Sequence, residues 1–348
     1  MENNIFFYIS LFTLNILIFF FFDKVASSLK VYDIPDKIRK FHKKKTPVIG
    51  GYIIIVNLIL IFFLNSLLQI NLLNFFQNNT GSSLLFITCS TLVFILGAYD
   101  DKFLLSANKK LFFLALIVSI NIYYDEFLHL SEIRFSFTNY IIPLRGFSQL
   151  FTLLCFLLFI NALNMFDGIN FQAGFYAFLI LVYLFFLQSV SFFSLAISFG
   201  IIIFLILNLT NKIFLGDSGT YLLSFIFSYC FVKLYNFKEI MYSDQIFFIM
   251  LVPGLELLRL SITRIIKKRH PFSADRMHIH HLLSKIFGAN RYLIFISIFM
   301  IINIFLAINI YYNFYFIIIM TFFYLLLIYN KYYSKNLILI IINIAKNR

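Results

Sequence analysis

Four short stretches of this chain hold the side chains that could do chemistry, and three of them carry carboxylates. Asp100 and Asp101 stand in GAYDDK, Asn161, Asn164 and Asp167 in NALNMFDGIN, and Asp217 in FLGDSGTYLL. The chain has 15 acidic residues in all. A charge near a membrane centre costs about 2.5 to 3.5 kcal/mol on insertion scales, so the places where carboxylates occur are informative. On a helix, Asn161, Asn164 and Asp167 step by three residues, about 300° each, and share an arc of roughly 120°. A single polar side on an apolar helix lines a water-filled cleft or caps the helix at an interface, and Gly168 lets backbone approach whatever binds there. Asp100 and Asp101 lie about 100° apart and cannot share a face. One can hold a metal or another cation while the other accepts a proton; alternatively they form a hydrated boundary pair beside Lys102.

Carboxylates converging from three helix ends make an oxygen-rich site suited to a hard cation. Mg²⁺ takes one or two carboxylates and keeps phosphate oxygens as further ligands. Gly216 and Gly219, around Asp217 and Ser218 at a helix start, suit phosphate binding by backbone N–H groups. The fourth stretch, HPFSADRMHIHHLL, gathers His270, Asp275, Arg276, His278, His280 and His281. It lacks HExxH and has no cysteine nearby, so zinc is disfavoured. A grip on phosphate suits it better, with Arg276 the strongest charge because its guanidinium fork fits phosphate. The first basic loop carries Lys37, Arg39, Lys40, His42, Lys43, Lys44 and Lys45 ahead of Pro47, Gly50 and Gly51. Such a run anchors to anionic lipid or draws in an anionic lipid substrate.

These groups must be positioned by membrane helices. The 348 residues are 61% hydrophobic and 12% charged, with mean hydropathy +0.92, which excludes a soluble globular domain. Apolar runs at 5–22, 48–70, 83–99, 111–124, 147–165, 174–189, 191–208, 219–236, 245–264, 292–311 and 313–330 predict an all-α polytopic membrane protein of about eleven transmembrane helices. The first run lacks a basic leader and is expected to be retained. Residues 1–330 form one catalytic domain, and 331–348 a short cytoplasmic tail. Most Lys and Arg fall in loops on one side, opposed by Arg134, Arg145, Lys233 and Lys238. By the positive-inside rule the N-terminus is outside, the C-terminus cytoplasmic and the carboxylate clusters at the cytoplasmic edge. The net charge of +13 is therefore a topology signal, and no nucleic acid partner is expected. The outer loop 125–146 alternates in a way that predicts a small hairpin. Cys89, Cys155 and Cys230 have no partner spacing and read as packing residues. A transporter or flippase for lipid-linked sugars is the rival reading, but it would place ionisable groups at mid-membrane and often shows internal repeats, which are absent here.

In this order and spacing, DDK, NALNMFDGIN, FLGDSGTYLLSF and PFSADRMHIHHLL resemble the polyprenyl-phosphate N-acetylhexosamine-1-phosphate transferases, from about Asp33 to Leu283. The HIHH form is more similar to the bacterial UDP-N-acetylglucosamine branch than to the muramoyl-pentapeptide branch. The resemblance implies an enzyme of the bacterial inner membrane, with its site on the cytoplasmic face. It would move an N-acetylhexosamine 1-phosphate, GlcNAc-1-P above all, from a UDP-N-acetylhexosamine to undecaprenyl phosphate, releasing UMP with Mg²⁺ as cofactor. It also implies roles. Asp217 is the metal ligand; Asp100 and Asp101 handle the lipid phosphate or assist the metal; Asn164, Asp167 and Asn170 line the nucleotide site; Phe214 stacks on uracil; His278, His280 and His281 contact the phosphates. The sequence leaves a homodimer open. It departs from the family in INFQAGF after Gly168, in Glu256 where Asp is usual, and in TPVIGG without a preceding Arg; these changes bear on the sugar and leave the metal site intact.

Overall fold

The structure is a computed structural model that describes residues 2–34, 45–70, 80–269, 277–309, 314–326 and 328. His270, Asp275, Arg276, most of the basic first loop and the tail 331–348 lie outside the described residues. Over their described residues, ten of the eleven apolar runs read from the sequence fall on one helix each, and 245–264 falls on two. In chain order these are α1 (Glu2–Leu29), α2 (Gly50–Leu68), α3 (Thr80–Phe103), α4 (Ala107–Tyr124), α5 (Ser148–Phe166), α6 (Gln172–Phe185), α7 (Ser191–Leu209), α8 (Gly216–Asn236), α9 (Ser243–Ile249), α10 (Leu251–Ile266), α11 (Ile279–Phe287), α12 (Ala289–Asn309) and α13 (Phe314–Leu326). The addition is α11, a short amphipathic helix on the histidine segment. Among the described residues, six helices are long and apolar enough to cross a membrane alone, and α9 with α10 makes a seventh, bent by 79°. Pro253 fits the first turn of α10, where a missing N–H costs nothing.

The helices α4, α6, α8 and α13 are shorter or more polar, and α8 shows why this is tolerated. It is enclosed by α2, α3 and α5 and buries nearly its whole length, including Ser218, Thr220, Ser224 and Ser228. A helix that meets only protein can carry hydroxyls that bond back to its own carbonyls, as Ser224 does to Thr220 at 2.6 Å. The peripheral helices instead present Leu150, Leu154 and Leu158 of α5, or Phe12 and Phe20 of α1, outward, as a lipid-facing surface requires. A buried pair of amides, Asn15 and Asn57, exchanges hydrogen bonds of 2.7 and 3.1 Å and ties α1 to α2.

Two small hairpins complete the fold. β1 (Tyr32–Asp33) pairs antiparallel with β2 (Thr46–Pro47), and the chain then bridges Val48 to Phe214. The expected hairpin in 125–146 is present as β3 (Glu132–Ile133) and β4 (Ile142–Pro143), with Glu132 opposite Pro143 and Ile133 opposite Ile142. The first of these matters most, because it delivers α2 onto the segment entering α8. The amides of Gly50 and Gly51 donate to the Phe214 and Leu215 carbonyls at 2.9 and 3.2 Å, so the free N–H groups at the α2 N-terminus are satisfied by the α8 approach.

Candidate active site

The end of α3, the start of α4 and the start of α8 bring three charged side chains into contact. Asp100 is fully buried. Its Oδ2 lies 2.5 Å from Lys110 Nζ and accepts from the Tyr221 hydroxyl at 3.0 Å, while its Oδ1 accepts from the Leu105 amide at 2.8 Å. Lys110 also reaches Asp217 Oδ2 at 3.3 Å. One ammonium thus sits between two carboxylates from separate helices. Asp217 is the more accessible of the two, and its other oxygen accepts from Asn164 Nδ2 at 2.6 Å.

Asp101, one residue on, faces a different task. Its two oxygens accept from the backbone amides of Asp217 and Ser218 at 2.7 and 3.0 Å, an acceptor placed at the positive end of a helix. These are amides that the glycine-flanked motif offered to a phosphate; in the structure Asp101 occupies them. The turn needs Gly216, whose φ is +75° and whose missing Cβ would meet Val48 Cγ1 at 2.2 Å and Asp101 Oδ2 at 2.7 Å.

The polar side of α5 divides along its length. Asn164 joins the cluster and also donates to Thr220 Oγ1 at 3.1 Å. Asn161 spends its amide on the Leu157 carbonyl one turn back, at 2.7 Å. Asp167 is the C-cap of α5 and half-buried. Desolvation by the surrounding protein, with the Asp101 charge second, pushes its pKa up to about 7. Asn170 reaches away from the carboxylates to Asn211 Oδ1 at 2.6 Å. Phe214 is half-buried in the bridge to Val48, two residues before the turn into α8.

The histidines are gathered on α11 and its N-cap. The His278, His280 and His281 rings lie within 4.4 to 6.3 Å of one another. His280 is buried against Gly168, where a Cβ would fall 1.9 Å from its Cε1, so two of the sequence motifs meet at this contact. Burial, then the neighbouring His278, His281 and Arg259, holds His280 well below the usual imidazole range and therefore neutral at pH 7. Behind them stands Glu256, buried on α10, which accepts from the Ile279 amide at 2.8 Å and from the Tyr324 hydroxyl at 2.6 Å. Arg259 pairs with Glu256 at 2.8 Å and donates to the Met277 carbonyl at 2.6 Å.

Sequence reasoning missed Lys110 and Arg259 as site residues. Neither stands in one of the four motif stretches. The available signal was that each lies within about one helix end of an acidic residue already singled out. Among the described residues, no three His, Cys, Asp or Glu side chains converge as a metal-holding group.

A helical bundle that carries a carboxylate and ammonium cluster at one end, with the histidines of α11 beside it, is a polytopic membrane protein. Residues 83–235 match the model of glycosyl transferase family 4, in agreement with the family resemblance read from the motifs. The match holds the Asp100, Asp101, Asn164, Asp167 and Asp217 positions. Among curated relatives, the undecaprenyl-phosphate alpha-N-acetylglucosaminyl 1-phosphate transferase of Escherichia coli K12 is 26% identical over 289 residues, covering 80% of this chain and 75% of the relative. The transferase of the same name from Salmonella typhi is 28% identical over the same shares. That of Thermotoga maritima is 27% identical over 84% of this chain and 85% of its own length.

Proposed function

We propose that this protein transfers N-acetylglucosamine 1-phosphate from UDP-N-acetylglucosamine to undecaprenyl phosphate, giving the lipid diphosphosugar and UMP. The observation that carries this reading is the Lys110 ammonium lying between Asp100 and Asp217. Two anionic substrates must meet, and charge neutralisation with in-line positioning is most of what phosphoryl transfer asks of a protein. A lipid phosphate oxygen attacks the sugar-bearing phosphorus as the bond to the UMP oxygen breaks. One phosphoanhydride replaces another, so the step is near thermoneutral.

The donor set fits magnesium, because the oxygens around Lys110 already enclose a cation and Mg²⁺ needs only one or two carboxylates. Asp217 would hold it, with Asp100 alongside, and the ion would supply charge neutralisation on the phosphates. Lys110 orients the two carboxylates and offsets their charge. Asp101 keeps Asp217 in place by holding the start of α8. Asn164 fixes the Asp217 carboxylate, and Asp167, Asn170 and Phe214 line the nucleotide side. Neutral His280, packed on Gly168, acts with His278, His281 and Arg276 on the phosphates. The site faces the cytoplasm of a bacterial inner membrane, N-terminus outside, which the sorting of Lys and Arg supports. No feature of the site favours transport.

The test is purified protein with UDP-N-acetylglucosamine, undecaprenyl phosphate and Mg²⁺. UMP release and a new lipid diphosphosugar are expected, both abolished by Asp217→Asn. No UMP from folded protein across a panel of UDP-sugars would overturn the reading.

A further inference from the structure

The helices α4 and α8 are joined at both ends by ion pairs of opposite polarity. At the site end, Lys110 of α4 meets Asp217 of α8 at 3.3 Å. At the other end, Asp125, the C-cap of α4, meets Lys233 of α8 at 2.9 Å, and both side chains are 1% exposed. Asp125 is further held by the Tyr229 hydroxyl at 2.7 Å and the Phe127 amide at 3.2 Å. The Lys233 ammonium lies over the Tyr229 ring at 4.7 Å and the Phe127 ring at 5.6 Å. The second pair takes no part in the chemistry described above.

A buried ion pair is weak evidence for stability, because desolvation offsets the attraction; its best-attested use is to specify register. The lengths match that use. At 1.5 Å per residue, Lys110 to Asp125 spans about 22 Å and Asp217 to Lys233 about 24 Å. Both bridges therefore close together in one axial alignment. A slip of one helical turn, about 5.4 Å, would part Lys110 from Asp217. Between the two ends, α4 and α8 share α3 and α5 as flanking helices. Contacts among apolar side chains there are non-directional and resist sliding less sharply than a fixed charge pair.

We propose that Asp125 and Lys233 are positioning residues that set the register of α4 against α8 from the far end of the bundle and so hold Lys110 between Asp100 and Asp217. For its kinetic readout the proposal rests on the transferase reading. Its second readout, the reactivity of Lys110, does not.

The experiment compares the full-length protein in lipid nanodiscs with Lys233→Met, Lys233→Arg and the double variant Asp125→Asn/Lys233→Met. Turnover is followed by UMP release, and the labelling rate of Lys110 by an amine reagent is followed by peptide mass spectrometry. The double variant leaves no uncompensated charge and is the one expected to fold even if Lys233→Met does not. It should lose about tenfold or more in kcat, since small displacements of a catalytic group are that costly, with the KM for the nucleotide sugar changed less than about threefold. Its Lys110 should label several-fold faster, and Lys233→Arg should restore both values. A folded double variant with wild-type kcat and wild-type Lys110 labelling would overturn the proposal. If wild-type protein releases no UMP, the transferase reading fails, and the Lys110 labelling rates alone still decide the register.

Discussion

Glu256 and Arg259, one turn apart on α10, grip the chain on both sides of His278. Arg259 donates to the carbonyl of Met277 at 2.6 Å, and the amide of Ile279 donates to Glu256 at 2.8 Å. The pair itself closes at 2.8 Å with Glu256 1% exposed. The histidines are thus placed by a buried salt bridge that never needs to touch substrate. Glu256→Gln leaves the Arg259 charge without its partner, and chemical denaturation should show a loss of about 3–5 kcal/mol. Glu256→Met/Arg259→Met should regain most of that stability while UMP release stays at least about tenfold down, because the grip on Met277 and Ile279 is gone. A double variant with full activity would show that the histidine segment does not depend on this grip.

Lys110 offers a sharper test of where the cation belongs. Unit charges 4 Å apart interact by about 4 kcal/mol at an effective dielectric constant near 20, and Lys110→Met removes the positive charge that competes with a metal for Asp100 and Asp217. The Mg²⁺ concentration for half-maximal activity should therefore fall, even as kcat drops by about a hundredfold from the lost electrostatic alignment. A Mg²⁺ titration of the variant measures both. An unchanged Mg²⁺ requirement would mean that Lys110 and the metal do not share this place.

Much of the architecture was legible because apolar runs are long and helices in a bilayer have no competitor. The runs fall on helices over their described residues, with 245–264 broken into two, and the hairpin of 125–146 was visible in its alternation. The site was legible only as far as residue type and helical spacing reach. Asn164 and Asp217 meet although their positions lie 53 residues apart. The division of labour between Asp100 and Asp101 was not readable, because it depends on Asp101 reaching the amides of Asp217 and Ser218 on another helix. The role of Lys110 was hidden for a similar reason: nothing local to NKK says that its ammonium bridges α3 and α8. Asn161 shares the arc of Asn164 yet bonds to its own helix, a choice that periodicity leaves undetermined.

Gly168 is the contact between the α5 motif and the histidine motif. A methyl group there would lie 1.9 Å from His280 Cε1, and the ring is buried with little room to retreat. Gly168→Ala should cost about 1–3 kcal/mol by overpacking and push His280 off the site. The expected kinetic mark is a fall in kcat larger than Gly174→Ala produces, since Gly174 meets Phe204 and Leu205 rather than a histidine. Equal effects from both variants would reduce the Gly168 contact to packing.

Asp167 gives the pH dependence. Its folded pKa near 7 stands above its ordinary value of 3.8, so between these two values the folded protein keeps a proton that the unfolded chain has released. Stability therefore falls as pH rises through this window and levels off above about pH 7. The direction is opposite to that of a salt-bridged carboxylate. Asp167→Asn should melt at the same temperature as wild type near pH 4 and higher than wild type at pH 8, with the gap opening between. In turnover, a protonated Asp167 can donate a hydrogen bond to the nucleotide and an ionised one cannot, so the KM for the nucleotide sugar should climb as pH passes about 7. The asparagine keeps a donor at every pH, and its KM should stay flat over the same range. A KM that climbs equally in the variant would assign the titration to another group.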